Sequence, residues 1–261
     1  MSPKGRNTIR LSPLSRLTMS FDQELNLDNN KVLGLDTYEK YLDRYKDAEA
    51  KRDKLLAGLA KQLSILFLVL FGQDWTIPVL DVQLSSIPAI REILLVTTSL
   101  TFFMLCTSFV THLCYGGIID QYGNRIVNSN VVDPDFFNAS RKHYDFFLKV
   151  YRAKLNIWGG DFFESAKGFR RFSVAINTIF VAIIIAMISV HFLIVGFACW
   201  QIFISEANIA VKVIIAIVVS VVNFAGVALV VGLNKKFDFL LPIVEQNENN
   251  TPEGNSGTSP E

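Results

Sequence analysis

Phe172–Ile204 reads FSVAINTIFVAIIIAMISVHFLIVGFACWQIFI, and this stretch decides the fold class. It carries no formal charge, His191 aside. A helix of ~20 apolar residues already crosses the ~30 Å hydrocarbon layer of a bilayer, so this one is long enough with residues to spare. Working outward, Ile209–Leu233 holds a single charge, Lys212, close to its start. Ile93–Tyr115 is a third uncharged run, rich in Thr and Ser.

A fourth run, Leu63–Gly72 (LSILFLVLFG), is short. Extended back to Leu55 it reaches spanning length but takes in Lys61 and Gln62. Lys61 would stand at the inner end, where its aliphatic stem can snorkel to the headgroups. Charge asymmetry favours a full crossing. Of 25 Lys and Arg, twelve precede Leu63, nine lie between Tyr115 and Phe172, and two follow Leu233. Four crossings bring those three blocks to one side, leaving only Arg91 and Lys212 near the other. Cations are retained on the cytoplasmic side, which sets cytoplasmic termini and a cytoplasmic middle loop. Trp75 and Trp200 then fall at the external headgroup level.

The expected fold is therefore an all-α integral membrane protein with four transmembrane helices and a helical cytoplasmic extension. Residues 1–34 read as a disordered cytoplasmic tail and 35–72 as a long helix entering the membrane as the first span. A short external loop covers 73–92 and the second span 93–115. Residues 116–171 form a cytoplasmic helical loop, 172–204 the third span and 209–233 the fourth. The tail 234–261 is mostly disordered, being rich in Asn, Ser, Gly and Pro without periodicity. The expected location is the plasma (inner) membrane, with the bilayer itself as a partner.

Hydrophobic residues make up 51% of the chain and the mean hydropathy is +0.34, yet the charges are confined to blocks. A soluble fold mixes charge into each amphipathic element. The net charge of +1 gives no basic excess, so nucleic acid is not an expected partner. Cys106, Cys114 and Cys199 all lie in apolar runs at no metal-ligand spacing, which implies neither a disulfide framework nor a zinc site.

Outside the spans, Asp36 and Glu39 have capping-box spacing. Tyr38, Tyr41, Tyr45, Ala48, Leu55 and Leu59 then recur in steps of three and four with a gap at Arg52, forming one amphipathic stripe. A stripe of this kind requires a partner helix, either from the middle loop or from another subunit. In that loop Asp133-Pro134 starts a helix rich in aromatics (Phe136, Phe137, Tyr144, Phe146, Phe147, Tyr151) that Gly159-Gly160 ends.

Polar residues inside apolar spans are candidates for function, because lipid penalises them. In the second span Thr97, Thr101, Ser108 and Thr111 share a stripe with Tyr115, interrupted by Met104. They suit either a pore lining or helix packing, in which small hydroxyl residues bond a backbone carbonyl. Asn223 is a buried amide that needs a partner across the helices. The third span offers small residues at Ala175, Ala182, Ala186, Ser189 and Gly196 for close helix approach. His112 and His191 stand roughly 20 Å apart in depth at ~1.5 Å per residue, too far to share a metal.

No nucleophile elbow, zinc-protease signature, phosphate loop or dinucleotide fingerprint occurs. The spans hold no paired carboxylates, and His143 and Asp145 face different directions on their helix. No catalytic residue, cofactor or metal is expected. The expected function is that of a non-enzymatic multi-pass protein acting through homo-oligomerisation, or as the membrane subunit of a complex. Association would use the Tyr38–Leu59 stripe and the cytoplasmic loop. An oligomeric ion channel lined by the Thr/Ser stripe is the alternative.

Overall fold

Ser12-Pro13 begins a helix that the polarity of the N-terminal stretch conceals. In the computed structural model, which describes residues 8–28, 32–71, 76–77, 82–83, 89–126, 151, 167–206 and 208–240, helix α1 spans Pro13–Asp28. The Ser12 hydroxyl accepts the Ser15 amide at 3.1 Å, and Pro13 occupies the first helical position, where no amide hydrogen is needed. Leu14, Leu17, Phe21 and Leu25 then fall on one face. The reading of 1–34 as disordered is corrected for Thr8–Leu11 and Pro13–Asp28, where those four apolar residues of α1 have a surface to pack against.

Among the described residues four further helices follow. They are α2 (Leu35–Leu70), α3 (Ile90–Ile126), α4 (Lys167–Ile204) and α5 (Ile209–Asn234). Four short strands accompany them among the described residues, so the fold is mostly rather than wholly helical. Strand β1 (Thr8–Leu11) pairs antiparallel with β4 (Phe237–Leu240), joining the two ends of the described chain. Strands β2 (Thr76–Ile77) and β3 (Val82–Gln83) form a small antiparallel pair in the α2–α3 connection. The mostly disordered reading of 234–261 is corrected for Phe237–Leu240, whose backbone pairs with β1. The aromatic segment 133–150 and Trp75 lie outside the described residues.

The turn from α1 to α2 is held by Asp28, whose carboxylate accepts the amides of Val32 and Leu33. Gly34 is the N-cap of α2, with no side-chain cap bond. The capping box expected of Asp36 and Glu39 is thus not used. The helix starts one residue before Asp36, which places that carboxylate in the first turn instead.

Helix α3 is the central element, packing against α1, α2, α4 and α5. It continues well past the expected boundary at Tyr115, through Gly116 and Gly117. A Cβ at Gly117 would meet the Thr18 methyl at 2.7 Å, so glycine here lets α1 lie directly on α3. The extension carries Ile118, Ile119 and Tyr122, which bury against Tyr38, Leu42 and Tyr45 of α2 and Leu25 of α1. The Tyr38–Leu59 stripe is therefore covered within the chain, by α1 and α3. Tyr122 sits at the centre, its ring 5.1 Å from Phe21, 5.4 Å from Tyr38 and 5.9 Å from Tyr41, in edge-on and tilted contacts that aromatic quadrupoles favour. Arg125 closes the end of this core by donating to the Leu25 carbonyl and, at 3.3 Å, to the Asn26 side chain.

A second core lies at the opposite end of the helices, where Leu66 and Leu70 of α2 meet Leu95 of α3, Val195, Ala198 and Ile202 of α4, and Val219 of α5. Between the two cores, Leu59, Phe102 and Cys106 form a smaller cluster. Among the described residues three helices, α3, α4 and α5, are long and apolar enough to cross a membrane. The apolar end of α2, from Leu55, is shorter and contains Lys61 and Gln62.

The Tyr122 hydroxyl is buried without a hydrogen-bond partner, so its ring and its oxygen should act in opposite senses. Tyr122→Ala is expected to destabilise by about 3–5 kcal/mol, as for other buried aromatic truncations. Tyr122→Phe removes only the unsatisfied oxygen and should leave the melting temperature in detergent unchanged or raised. A loss with Tyr122→Phe as large as with Tyr122→Ala would refute this account of the core.

Candidate functional site

Near the middle of the apolar lengths of α3, α4 and α5, three side chains meet. Asn223 of α5 is 4% exposed and His191 of α4 is 2% exposed. The Asn223 amide nitrogen donates back to the Val219 carbonyl one turn earlier at 2.8 Å, which fixes the orientation of the amide. Its oxygen Oδ1 therefore faces His191 Nε2, at 2.8 Å. An amide oxygen only accepts, so His191 carries its proton on Nε2. The imidazole lies flat on the Phe102 ring of α3, with centroids 4.2 Å apart and planes at 15°. Nδ1 of His191 is buried with no hydrogen-bond partner.

Close approach of α5 makes this contact possible. A Cβ at Gly226 would lie 3.2 Å from the Cys106 sulfur and 3.4 Å from the Phe102 ring, tighter than ordinary packing. Gly226, one turn beyond Asn223, thus brings the amide within reach of the layer formed by Phe102 and His191.

The stripe named from sequence behaves differently. Thr97 donates to the carbonyls of Ile93 (2.8 Å) and Leu94 (3.1 Å), Thr101 to Thr97 (2.9 Å) and Thr111 to Thr107 (2.9 Å). These hydroxyls are satisfied by their own helix, and Thr111 is exposed. Ser108 alone reaches across, donating at 3.4 Å to the Ala48 carbonyl of α2. Of the five residues, only Asn223 joins the buried centre. His112 belongs elsewhere, stacked on Tyr45 with centroids 4.4 Å apart in the core shared by α2 and α3.

A second polar layer closes the far end of the bundle. Gln201 of α4 donates to the Leu70 carbonyl at the end of α2 (3.2 Å) and accepts from Arg91 at the start of α3 (3.4 Å). Lys212, 7% exposed, turns back on the α4–α5 connection and donates to the carbonyls of Phe203 (3.1 Å) and Ser205. A cation here offsets the partial negative charge of unpaired carbonyls at a helix end.

The arrangement can orient helices and hold one imidazole in place, but it does not assemble a reacting set. Helices α4 and α5 contain no Asp or Glu, so His191 has no carboxylate on either. Among the described residues no three His, Cys, Asp or Glu side chains gather to hold a metal. Comparison with family models, with curated proteins and with solved structures returns no match for this chain.

Sequence reasoning singled out Asn223 but not its partner. The signal was the short turn at Ser205–Asn208. His191 stands about as many residues before it as Asn223 stands after it, so an antiparallel hairpin puts the two at one level. Phe102, Gln201 and Arg91 carried no comparable signal.

Removing either member of the pair leaves the other buried and unsatisfied. His191→Leu and Asn223→Leu are each expected to destabilise by roughly 1–3 kcal/mol. The double variant should cost less than the two singles together, with a coupling of roughly 0.6–1.7 kcal/mol. Additive single-variant losses in a detergent unfolding titration would mean that this hydrogen bond contributes nothing.

Proposed function

We propose that this is a non-enzymatic, four-span membrane protein that acts by association, with the inner half of α4 as its docking face. One observation carries the reading. From Val174 to Val190 every residue of α4 except Ile176 is exposed, whereas the outer part is fixed through His191, Val195, Ala198 and Ile202. Most of the surface of that half of the helix is thus open in the single chain.

That half carries Ala182, Ala186 and Ser189 at steps of four and three, with Gly196 open further out. Lipid tails are as apolar as leucine, so burial of apolar area alone drives no association in a bilayer. Small residues do favour it, because they let backbones approach closely enough for dispersion to act. A second copy of α4 fits such a face, giving a homo-oligomer.

Four crossings are supported by the level of the helix ends. The last carbonyls of α2 meet Gln201 near the end of α4, and Gln201 meets Arg91 at the start of α3. The apolar end of α2 therefore reaches the same face as the helices that are long enough to span. With the cationic blocks on the opposite face, the termini are cytoplasmic in this reading.

Ala182→Leu combined with Ala186→Leu should shift the protein to a smaller species in blue-native electrophoresis, leaving its helix content unchanged. Ala186→Cys should give an oxidative crosslink between copies in membranes. A wild-type chain that runs as a strict monomer in mild detergent, with no crosslink from Ala186→Cys, overturns the proposal.

A further inference from the structure

The β1–β4 ribbon has a defined level in the molecule, and two independent measures place it. Strand β4 begins at Phe237, directly after α5 ends at Asn234. Strand β1 leads through Ser12 into α1, and α1 lies alongside α3 in the same direction. Thr18 touches Gly117, while Leu25 and Asn26 are bonded by Arg125. The start of α1 is therefore level with Leu113–Gly117, where the uncharged length of α3 ends. The ribbon sits where the apolar lengths of α3 and α5 both give way to polar sequence.

Its composition is unusual for an exposed sheet. Arg10, Arg16, Lys235 and Lys236 are all exposed, against one carboxylate on the two strands, Asp238, which Arg10 approaches at 3.9 Å. Phe237 is 43% exposed and Leu240 58% exposed beside these cations. The Arg16 guanidinium lies 4.9 Å from the centre of the Phe239 ring and the Lys235 ammonium 5.8 Å from that of Phe237. Both contacts hold charge against aromatic faces. A soluble anion would satisfy the charges but leave Phe237 and Leu240 in water. A leaflet of neutral lipid would take up the apolar residues but leave the cationic excess unmatched.

We propose that the β1–β4 ribbon is a binding surface for the phosphate headgroups of anionic phospholipids, with Phe237 and Leu240 inserted at the acyl boundary beside them. This goes beyond association through α4 and requires only that α5 crosses the bilayer. Juxtamembrane cations of this kind are each attracted to an anionic leaflet, and aromatic rings prefer the same depth.

The test uses the full chain, purified in mild detergent and titrated with phosphatidylglycerol or phosphatidylcholine, with bound lipid counted by native mass spectrometry. The wild-type protein should prefer phosphatidylglycerol. Lys235→Gln with Lys236→Gln should weaken that preference by about 25-fold, at about fivefold for each cation removed. Lys235→Arg with Lys236→Arg should retain it. A wild-type preference that falls as ionic strength is raised supports the proposal without recourse to any variant. The proposal is overturned by equal retention of the two lipids, by an unchanged preference in the glutamine variant, by a preference indifferent to salt, or by displacement of the lipid with inorganic phosphate at similar concentration.

Discussion

A polar group inside an apolar helix bundle must find its partner within the protein, and this constraint organises most of the chain. Water is absent from the hydrocarbon layer, so an unsatisfied donor or acceptor keeps its full desolvation cost there. The chain meets most of the requirement in three ways, leaving the Thr98 hydroxyl and His191 Nδ1 as buried exceptions. The Thr97, Thr101 and Thr111 hydroxyls on α3 return to carbonyls of their own helix. Asn223 divides its amide between its own helix and His191. Near the helix ends, Gln201 and Lys212 take up carbonyls that the helices leave bare. Only the last two join separate elements, and they mark the levels at which α4 is tied down.

Helix α3 links the two regimes. Along its uncharged length it offers Leu95, Phe102 and Cys106 to apolar neighbours. Beyond Tyr115 it offers Ile118, Ile119 and Tyr122 to a core flanked by polar sequence. Where such a core meets water the hydrophobic effect gathers its aromatic rings, whereas along apolar lengths in lipid close packing and hydrogen bonds would join the helices. Because one continuous helix carries both faces, the orientation of the polar core relative to the apolar bundle is fixed without a flexible joint.

Charge segregation and long uncharged runs made α3, α4 and α5 legible in the sequence, since lipid leaves so few alternatives. The Tyr38–Leu59 periodicity likewise marked α2 as amphipathic, but periodicity says only that a face is buried, not against what. The partner was hidden for two reasons. The second span was bounded at Tyr115, where the uncharged run ends, whereas α3 continues through Gly116 and Gly117 and Gly117 seats α1. The start of α1 was marked by Ser12-Pro13, the same cap-and-proline pattern read at Asp133-Pro134, but it stood in a stretch whose overall polarity suggested disorder. Local capping chemistry and four spaced apolar residues outweighed composition there. The β1–β4 ribbon could not have been foreseen, because its strands come from opposite ends of the chain and meet only once α1 and α5 are placed.

The uneven attachment of α4 follows from the same physics. A helix in lipid keeps its backbone satisfied whether or not it touches a neighbour, so nothing forces the N-terminal half of α4 onto the bundle. What holds the C-terminal half is specific: the His191–Asn223 bond, the Phe102 stacking, and the fit of Val195, Ala198 and Ile202 against α2 and α3. Before His191 those devices stop, and the sequence turns to isoleucine, valine and small residues, with the Thr178 hydroxyl satisfied by its own helix. A helix fixed mainly through its C-terminal half has its orientation set by the bundle and much of its N-terminal half left open. Such a face can meet a copy of itself without any rearrangement of the fold that presents it, which is why association through α4 asks less of this structure than a binding mode that would have to open the covered Tyr38–Leu59 stripe.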